Sequence, residues 1–126
     1  MAEQLIETTD IAVWCGLDVG KKEHHACALD RAGNRLFDKP LPQDETKLRE
    51  VFTGLQQHGP VLVIVDQPNT IGALAVAVAQ DVGCEVAYLP GLAMRKAAQL
   101  LPRDAKTDAR DAFVIATTAL KMPARL

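Results

Sequence analysis

The chain has 126 residues, with 14 basic and 16 acidic side chains and a formal net charge of −2. This length fits one compact domain with an ordinary hydrophobic core and leaves no room for a second full domain. The sequence has neither an apolar stretch of membrane-spanning length nor a basic leader followed by an apolar run, so we expect a cytoplasmic protein without membrane contact.

The first half of the chain predicts three consecutive strands. Residues 1–10 are polar and are expected to form a flexible N-terminus. Turn residues around Gly20 and Gly33 separate the strands and indicate an antiparallel meander. Pro40 and Pro42 are expected to end the third strand. The predicted strands cover residues 11–18, 24–30 and 35–38.

The second half predicts alternating helices and strands. Asp44 is a predicted N-cap, Gly83 is expected to end an apolar helix, and Thr107 is expected to cap the last helix. Together with the meander, this order predicts an α/β fold with a mixed five-stranded sheet and flanking helices. The elements are helix 45–57, a strand ending at residue 66, helix 70–80, strand 84–88, a helix from 90 to about 101, and helix 108–121.

Three cysteines lie in apolar, strand-like stretches. Cys15, Cys27 and Cys84 are odd in number and scattered, and their spacing is not that of a zinc site. We therefore expect buried, reduced core residues of a cytosolic protein.

The basic side chains are concentrated near the carboxyl end of the chain. Residues 1–90 carry 7 basic and 13 acidic side chains, whereas residues 91–126 carry 7 basic and 3 acidic ones. Such a region attracts an anionic polymer, although a solvated helix face explains it equally well. The basic residues beside the last acidic pair are Arg95, Lys96, Arg103, Lys106 and Arg110.

Four aspartates occupy positions typical of a metal site. Asp18 and Asp66 each end a run rich in Val, Ile and Leu, which reads as a strand buried on both faces. Asp108 and Asp111 are three residues apart and share one helical face. If that helix crosses the carboxyl edge of the sheet, the four carboxylates converge there and select Mg²⁺ or Mn²⁺, with two ions for phosphodiester cleavage.

Each aspartate also has an ordinary explanation. Asp18 beside Gly20 suits a turn, Asp66 suits a strand end before Pro68, and Asp108 suits the first turn of a helix because of the helix dipole. Singly, these explanations are about as good as the functional one. Jointly they are weaker, since two strand ends and one helical face must all supply acids.

Four sequence blocks carry a family resemblance. Over about residues 11–121, they resemble the amino-terminal part of DEDD transposases of the insertion-sequence 110 type. The last block is the most specific of the four. The blocks are Gly16-Leu-Asp-Val-Gly-Lys-Lys-Glu-His-His, Asp66-Gln-Pro, Tyr88-Leu-Pro-Gly and Lys106-Thr-Asp-Ala-Arg-Asp-Ala.

The resemblance implies a RuvC-like domain of the RNase H fold over residues 11–126. It also implies metal-dependent DNA cleavage and strand transfer, with Asp18, Asp66, Asp108 and Asp111 as the four catalytic, metal-binding acids. Asp18 is then expected to bridge two Mg²⁺ or Mn²⁺ ions, and the other three acids to be terminal ligands. The second acid is usually Glu in this family, so the shorter Asp66 must either approach its metal more closely or reach it through water.

The resemblance further implies DNA, an element-encoded guide RNA and further copies of the protein as partners. Full-length relatives continue into a carboxyl-terminal domain with a nucleophilic serine, so we expect this chain to be a fragment that does not complete recombination. Lys21 and Lys22, which suit either a phosphate contact or a charged turn, join the expected nucleic-acid-binding residues. The others are Arg103, Lys106 and Arg110.

Two other classes of function remain open from the residues. Asp18-Val-Gly20 at a strand end resembles a phosphate-binding loop of actin-like ATPases and sugar kinases, although that fold requires a second lobe. In a non-catalytic assembly module, the apolar helices 70–80 and 113–120 would pair between subunits. His24 and His25 follow the first acid, and we expect one to face the core and the other solvent.

Overall fold

A computed structural model describes residues 10–20, 22–66, 72–89 and 108–121, with the backbone alone for residues 108–110. Within these ranges the chain forms five strands, three α-helices and a short 3-10 helix over Gln56–His58, as predicted for an α/β fold. The strands are β1 (Val13–Asp18), β2 (Glu23–Asp30), β3 (Arg35–Pro42), β4 (Val61–Val65) and β5 (Glu85–Tyr88). The helices are α1 (Glu45–Leu55), α2 (Ala73–Asp81) and α3 (Asp108–Leu120).

The strands form one mixed sheet in the order β3-β2-β1-β4-β5. The first three strands pair antiparallel, which confirms the predicted meander. Strand β4 pairs parallel with β1 on one side and with β5 on the other. This topology agrees with the RNase H-like fold expected from the resemblance, and it makes β1 and β4 central, adjacent strands.

Helices α1 and α2 cover one face of the sheet. Alternate residues of the central strands, including Cys15, Leu17 and Val63, point to this face and are fully buried. Leu48 and Phe52 of α1 and Ala75 of α2 belong to the same core cluster. This side of the domain is its main hydrophobic core.

Helix α3 covers the opposite face. Trp14 of β1, Leu62 and Ile64 of β4, and Ile115 of α3 form a second buried cluster. Because helices cover both faces, the central strands are buried throughout, as the continuous apolar runs predicted.

The third strand is longer than predicted. Pro40 and Pro42 were expected to end it, but β3 continues through both residues. The prediction was wrong because β3 is an edge strand, paired only with β2, and an edge strand tolerates residues that lack a backbone N–H.

Other local predictions are confirmed where the structure describes the chain. Asp44 caps α1, since its side chain accepts a 3.1 Å hydrogen bond from the backbone N–H of Lys47. Gly83, with φ of 96°, follows α2 as expected. All three cysteines are buried and reduced. The predicted helix over residues 90–101 and the Thr107 cap lie outside the described residues. Among the helices that the structure does describe, none has the length and apolar character of a membrane-spanning segment.

Candidate metal centre at the sheet edge

Asp18 and Asp66 lie side by side at the carboxyl edge of the sheet. Asp18 is the last residue of β1, and Asp66 directly follows β4. The two strands are parallel, and Leu17 is level with Val65, so the two aspartates come at the same step of neighbouring strands. Adjacent strands are about 4.8 Å apart, so two carboxylate side chains on neighbouring strands can readily approach each other. Both residues are half-buried, and one carboxylate oxygen of Asp66 is fully buried.

Gly16 brings helix α3 against the same strand. An added methyl group at Gly16 would lie 2.5 Å from the carbonyl oxygen of Ala112 and 2.5 Å from the amide nitrogen of Ala116. The helix backbone therefore lies directly on β1, two residues before Asp18, with no side chain between them. Glycine is required here because a Cβ atom does not fit. Since strand side chains alternate, Asp18 faces the same side as Gly16, the side that α3 covers.

Asp111 is carried to this region by the same contact. It directly precedes Ala112, it is half-buried, and it lies in the first turns of α3. Thus three of the four predicted acids have described side chains, and all three belong to the side of the sheet that α3 covers. Asp108 begins α3, but its side chain lies outside the described residues.

The described part of the chain contains no group of three or more acidic, histidine or cysteine side chains arranged to hold a metal ion. Convergence of all four carboxylates therefore stays a prediction. Among the expected nucleic-acid-binding residues, Lys22 is exposed in the turn after Asp18. The side chains of Lys21, Arg103, Lys106 and Arg110 lie outside the described residues.

The two histidines after Asp18 are both buried, which contradicts the expectation that one faces solvent. The expectation was wrong because helices cover both faces of β2, so alternation places the rings on different faces and not in water. His24 accepts a 3.2 Å hydrogen bond from the backbone N–H of Gly20 at Nδ1. Burial lowers the pKa of His24, so the ring is neutral and holds the turn that follows Asp18.

His25 lies on the other face of β2, beside the candidate site. Its Cα atom is the register partner of Asp18 across the antiparallel pair of β1 and β2. Its Nε2 atom is 2.6 Å from Oδ1 of Asp38 on β3. Sequence reasoning missed the partner on β3, and it also missed the close approach at Gly16, for which a glycine inside an apolar strand run was the available signal.

A protein-family comparison matches the chain over residues 15–126. The matching family model is described as a transposase, of the DEDD type named after insertion sequence IS110.

Three curated relatives come from bacterial insertion elements. The IS110 43.6 kDa protein of Streptomyces coelicolor is 56% identical over 119 residues, which cover 94% of this chain and 29% of the relative. The IS900 42 kDa protein of Mycobacterium paratuberculosis is 33% identical, with 85% and 28% covered. The IS116 44.8 kDa protein of Streptomyces clavuligerus is 32% identical, with 85% and 27% covered. The chain thus spans less than a third of the length of each relative.

Proposed function

Because the chain belongs to the DEDD transposase family of the IS110 type, we propose that it is the catalytic domain of a DNA transposase that uses divalent metal ions to cleave phosphodiester bonds. The observation that carries this proposal is the level placement of Asp18 and Asp66 at the ends of two adjacent parallel strands. The carboxyl edge of an open sheet is where α/β folds commonly bind ligands.

The donor set suits Mg²⁺ or Mn²⁺. Carboxylate oxygens are hard ligands, and half-buried acids on neighbouring strands repel each other unless a cation compensates their charge. We assign Asp18, Asp66, Asp108 and Asp111 as the residues that would hold the metal. When bound, such ions supply the charge that activates an attacking oxygen and stabilises a leaving one.

In this proposal, the surrounding fold holds the metal-binding aspartates in place. Strands β1 and β4 hold Asp18 and Asp66 level with each other. The contact of Gly16 with α3 holds Asp111 on the same side of the sheet. The side chain of Asp66 is one methylene shorter than that of the usual Glu, and it would still offer a carboxylate oxygen to the metal.

Nucleic acid is the proposed partner, and Lys21, Lys22 and the basic residues around the last acidic pair are the proposed contacts with phosphate groups. Those near the acidic pair are Arg103, Lys106 and Arg110. We further propose a guide RNA and a homo-oligomer for the complete system. We assign the metal-dependent cleavage step to this domain, which matches 29% of the length of the IS110 relative.

Metal titration of the full 126-residue chain tests the site. Isothermal titration calorimetry with Mn²⁺ is expected to show binding in the parent chain and at least tenfold weaker binding in Asp18→Asn and Asp111→Asn. Asp81→Asn is the matched control, because it makes the same chemical change at an exposed position away from the site. Asp81 lies in α2 and pairs with Arg49 of α1. Cleavage of nicked or branched DNA with Mn²⁺ then tests the chemistry with the same variants.

Equal Mn²⁺ affinity in the parent chain, Asp18→Asn and Asp81→Asn would refute the proposal. The two other functions remain distinguishable in the same series. Nucleotide-dependent stabilisation would favour the actin-like alternative, and a change of oligomeric state without metal binding would favour the assembly module. Family membership favours neither alternative, and neither does any feature of the described residues.

A further inference from the structure

His25 is the side chain opposite the first acid of the candidate centre. Asp18 and His25 are directly paired residues of antiparallel strands, so their side chains stand on the same face with Cβ atoms about 5 Å apart. That face is the one covered by α3. His25 is only 9% exposed, so its ring is held within the domain and does not extend into solvent.

Asp38 fixes the orientation of the His25 ring. The distance of 2.6 Å between Nε2 of His25 and Oδ1 of Asp38 is that of a strong hydrogen bond to a carboxylate. Asp38 is level with Cys27, the next residue of β2 on the His25 side. Burial raises the pKa of the Cys27 thiol to about 11, and the negative charge of Asp38 contributes in the same direction, as expected for a carboxylate close to that face.

A β-bulge adds Arg35 to the row of side chains formed by His25 and Asp38. The register of β2 and β3 shifts between Ala28 and Leu29, which places Arg35 and Asp38 on one face although they are three residues apart. Nε of Arg35 is 3.7 Å from Oδ2 of Asp38. The guanidinium carbon of Arg35 lies 4.4 Å from the ring centre of Phe113 in α3. The side-chain contacts therefore run from helix α3, which carries the last acids, across β3 to His25 on β2, the register partner of the first acid on β1.

We infer that His25 is a positioning residue for Asp18, with Asp38 and Arg35 holding its ring in place from the edge strand. The inference rests on the proposed metal-binding function of Asp18. In metal sites, residues behind the ligands orient them, and their loss weakens metal affinity even though they do not touch the ion. His25 acts in this way as the cross-strand neighbour of Asp18, and Asp38 acts only through His25.

The dependence of Asp38 on His25 gives a sharp test. Mn²⁺ dissociation constants are measured calorimetrically on the full chain for the parent, His25→Ala, Asp38→Asn and the double variant. We expect His25→Ala to weaken binding by about tenfold, Asp38→Asn to weaken it less, and the double variant to bind no more weakly than His25→Ala. His25→Gln, which keeps a polar group able to reach Asp38, is expected to restore part of the lost affinity.

Ala28→Gly is the control for general destabilisation. Ala28 is a fully buried residue of β2 on the opposite face, in the core under α1 and α2. Its replacement is expected to lower the melting temperature without changing the Mn²⁺ affinity. All titrations are run well below the lowest melting temperature of the set. If His25→Ala does not fold, Asp38→Asn and His25→Gln carry the test.

The outcomes separate this inference from the proposed function. Parent-like Mn²⁺ affinity in His25→Ala, together with lost affinity in Asp18→Asn, overturns the positioning role and leaves the metal site intact. Additive losses in the double variant overturn the coupling through Asp38. Failure of the parent chain to bind Mn²⁺ through Asp18 overturns the proposed function, and the role of His25 with it.

Discussion

Replacing Gly16 by alanine is expected to push helix α3 away from the sheet. The new methyl group would lie 2.5 Å from two backbone atoms of α3, whereas ordinary van der Waals contact begins at 3.4 Å. The helix must therefore retreat by about 0.9 Å, because backbone atoms of a regular helix cannot turn aside as a flexible side chain does. Overpacking of this kind costs about 1–3 kcal/mol of unfolding free energy, or roughly 4–12 °C in melting temperature for a domain of this size.

The same displacement is expected to weaken metal binding. Asp111 lies next to Ala112, one of the two contact residues, so a retreat of α3 moves this acid away from Asp18 on β1. Metal sites require their ligands to be placed within about 0.5 Å, so Mn²⁺ affinity should fall together with stability. Differential scanning calorimetry gives the first quantity, and isothermal titration with Mn²⁺ gives the second.

Gly54→Ala is the matched control. Gly54 lies in α1, and a methyl group added there meets no atom within 4 Å. Alanine should stabilise the helix by about 0.5–1 kcal/mol and leave Mn²⁺ binding unchanged. A Gly16→Ala variant as stable as the parent chain would refute the close packing of α3 on β1.

Three further predictions concern stability. Asp44→Ala removes the side-chain cap of α1 and should cost about 1 kcal/mol in urea unfolding, so an unchanged midpoint would contradict the capping role. Ile115→Ala empties a fully buried position of α3 and should cost about 2–5 kcal/mol, and a much smaller loss would show that α3 contributes little to the core. Burial lowers the pKa of His24, so the unfolded chain binds a proton that the folded chain does not, and stability should fall as the pH drops below about 6.5. His24→Gln should remove that part of the pH dependence, and identical slopes in the two proteins would count against it.

The central strands were predictable because their own sequences show that both of their faces are buried. Continuous apolar runs such as Val61–Val65 require a strand buried on both faces, and the aspartate after each run marks the sheet edge. The adjacency of Asp18 and Asp66 could be predicted only in part from the local sequence, since the order of strands along the chain does not say that β4 pairs with β1. The family resemblance supplied that expectation.

Other features depend on tertiary pairing and left little trace in the sequence. Pro40 and Pro42 end a strand in most settings, and only their place at the sheet edge allows β3 to continue. The burial of both histidines depends on helices from distant parts of the chain. The bond between His25 and Asp38 depends on strand register and on a bulge, neither of which follows from a local pattern.

The register that places the ends of β1 and β4 level with each other limits where such a domain tolerates insertions and deletions. Residues added to the exposed turn at Gly33 would lengthen a loop and leave both strand ends undisturbed. Deleting one residue inside Val61–Val65 would instead rotate Asp66 to the side of α1 and α2, because successive side chains point in opposite directions. Natural length variation is therefore expected to accumulate in the connecting turns and to spare these two strands.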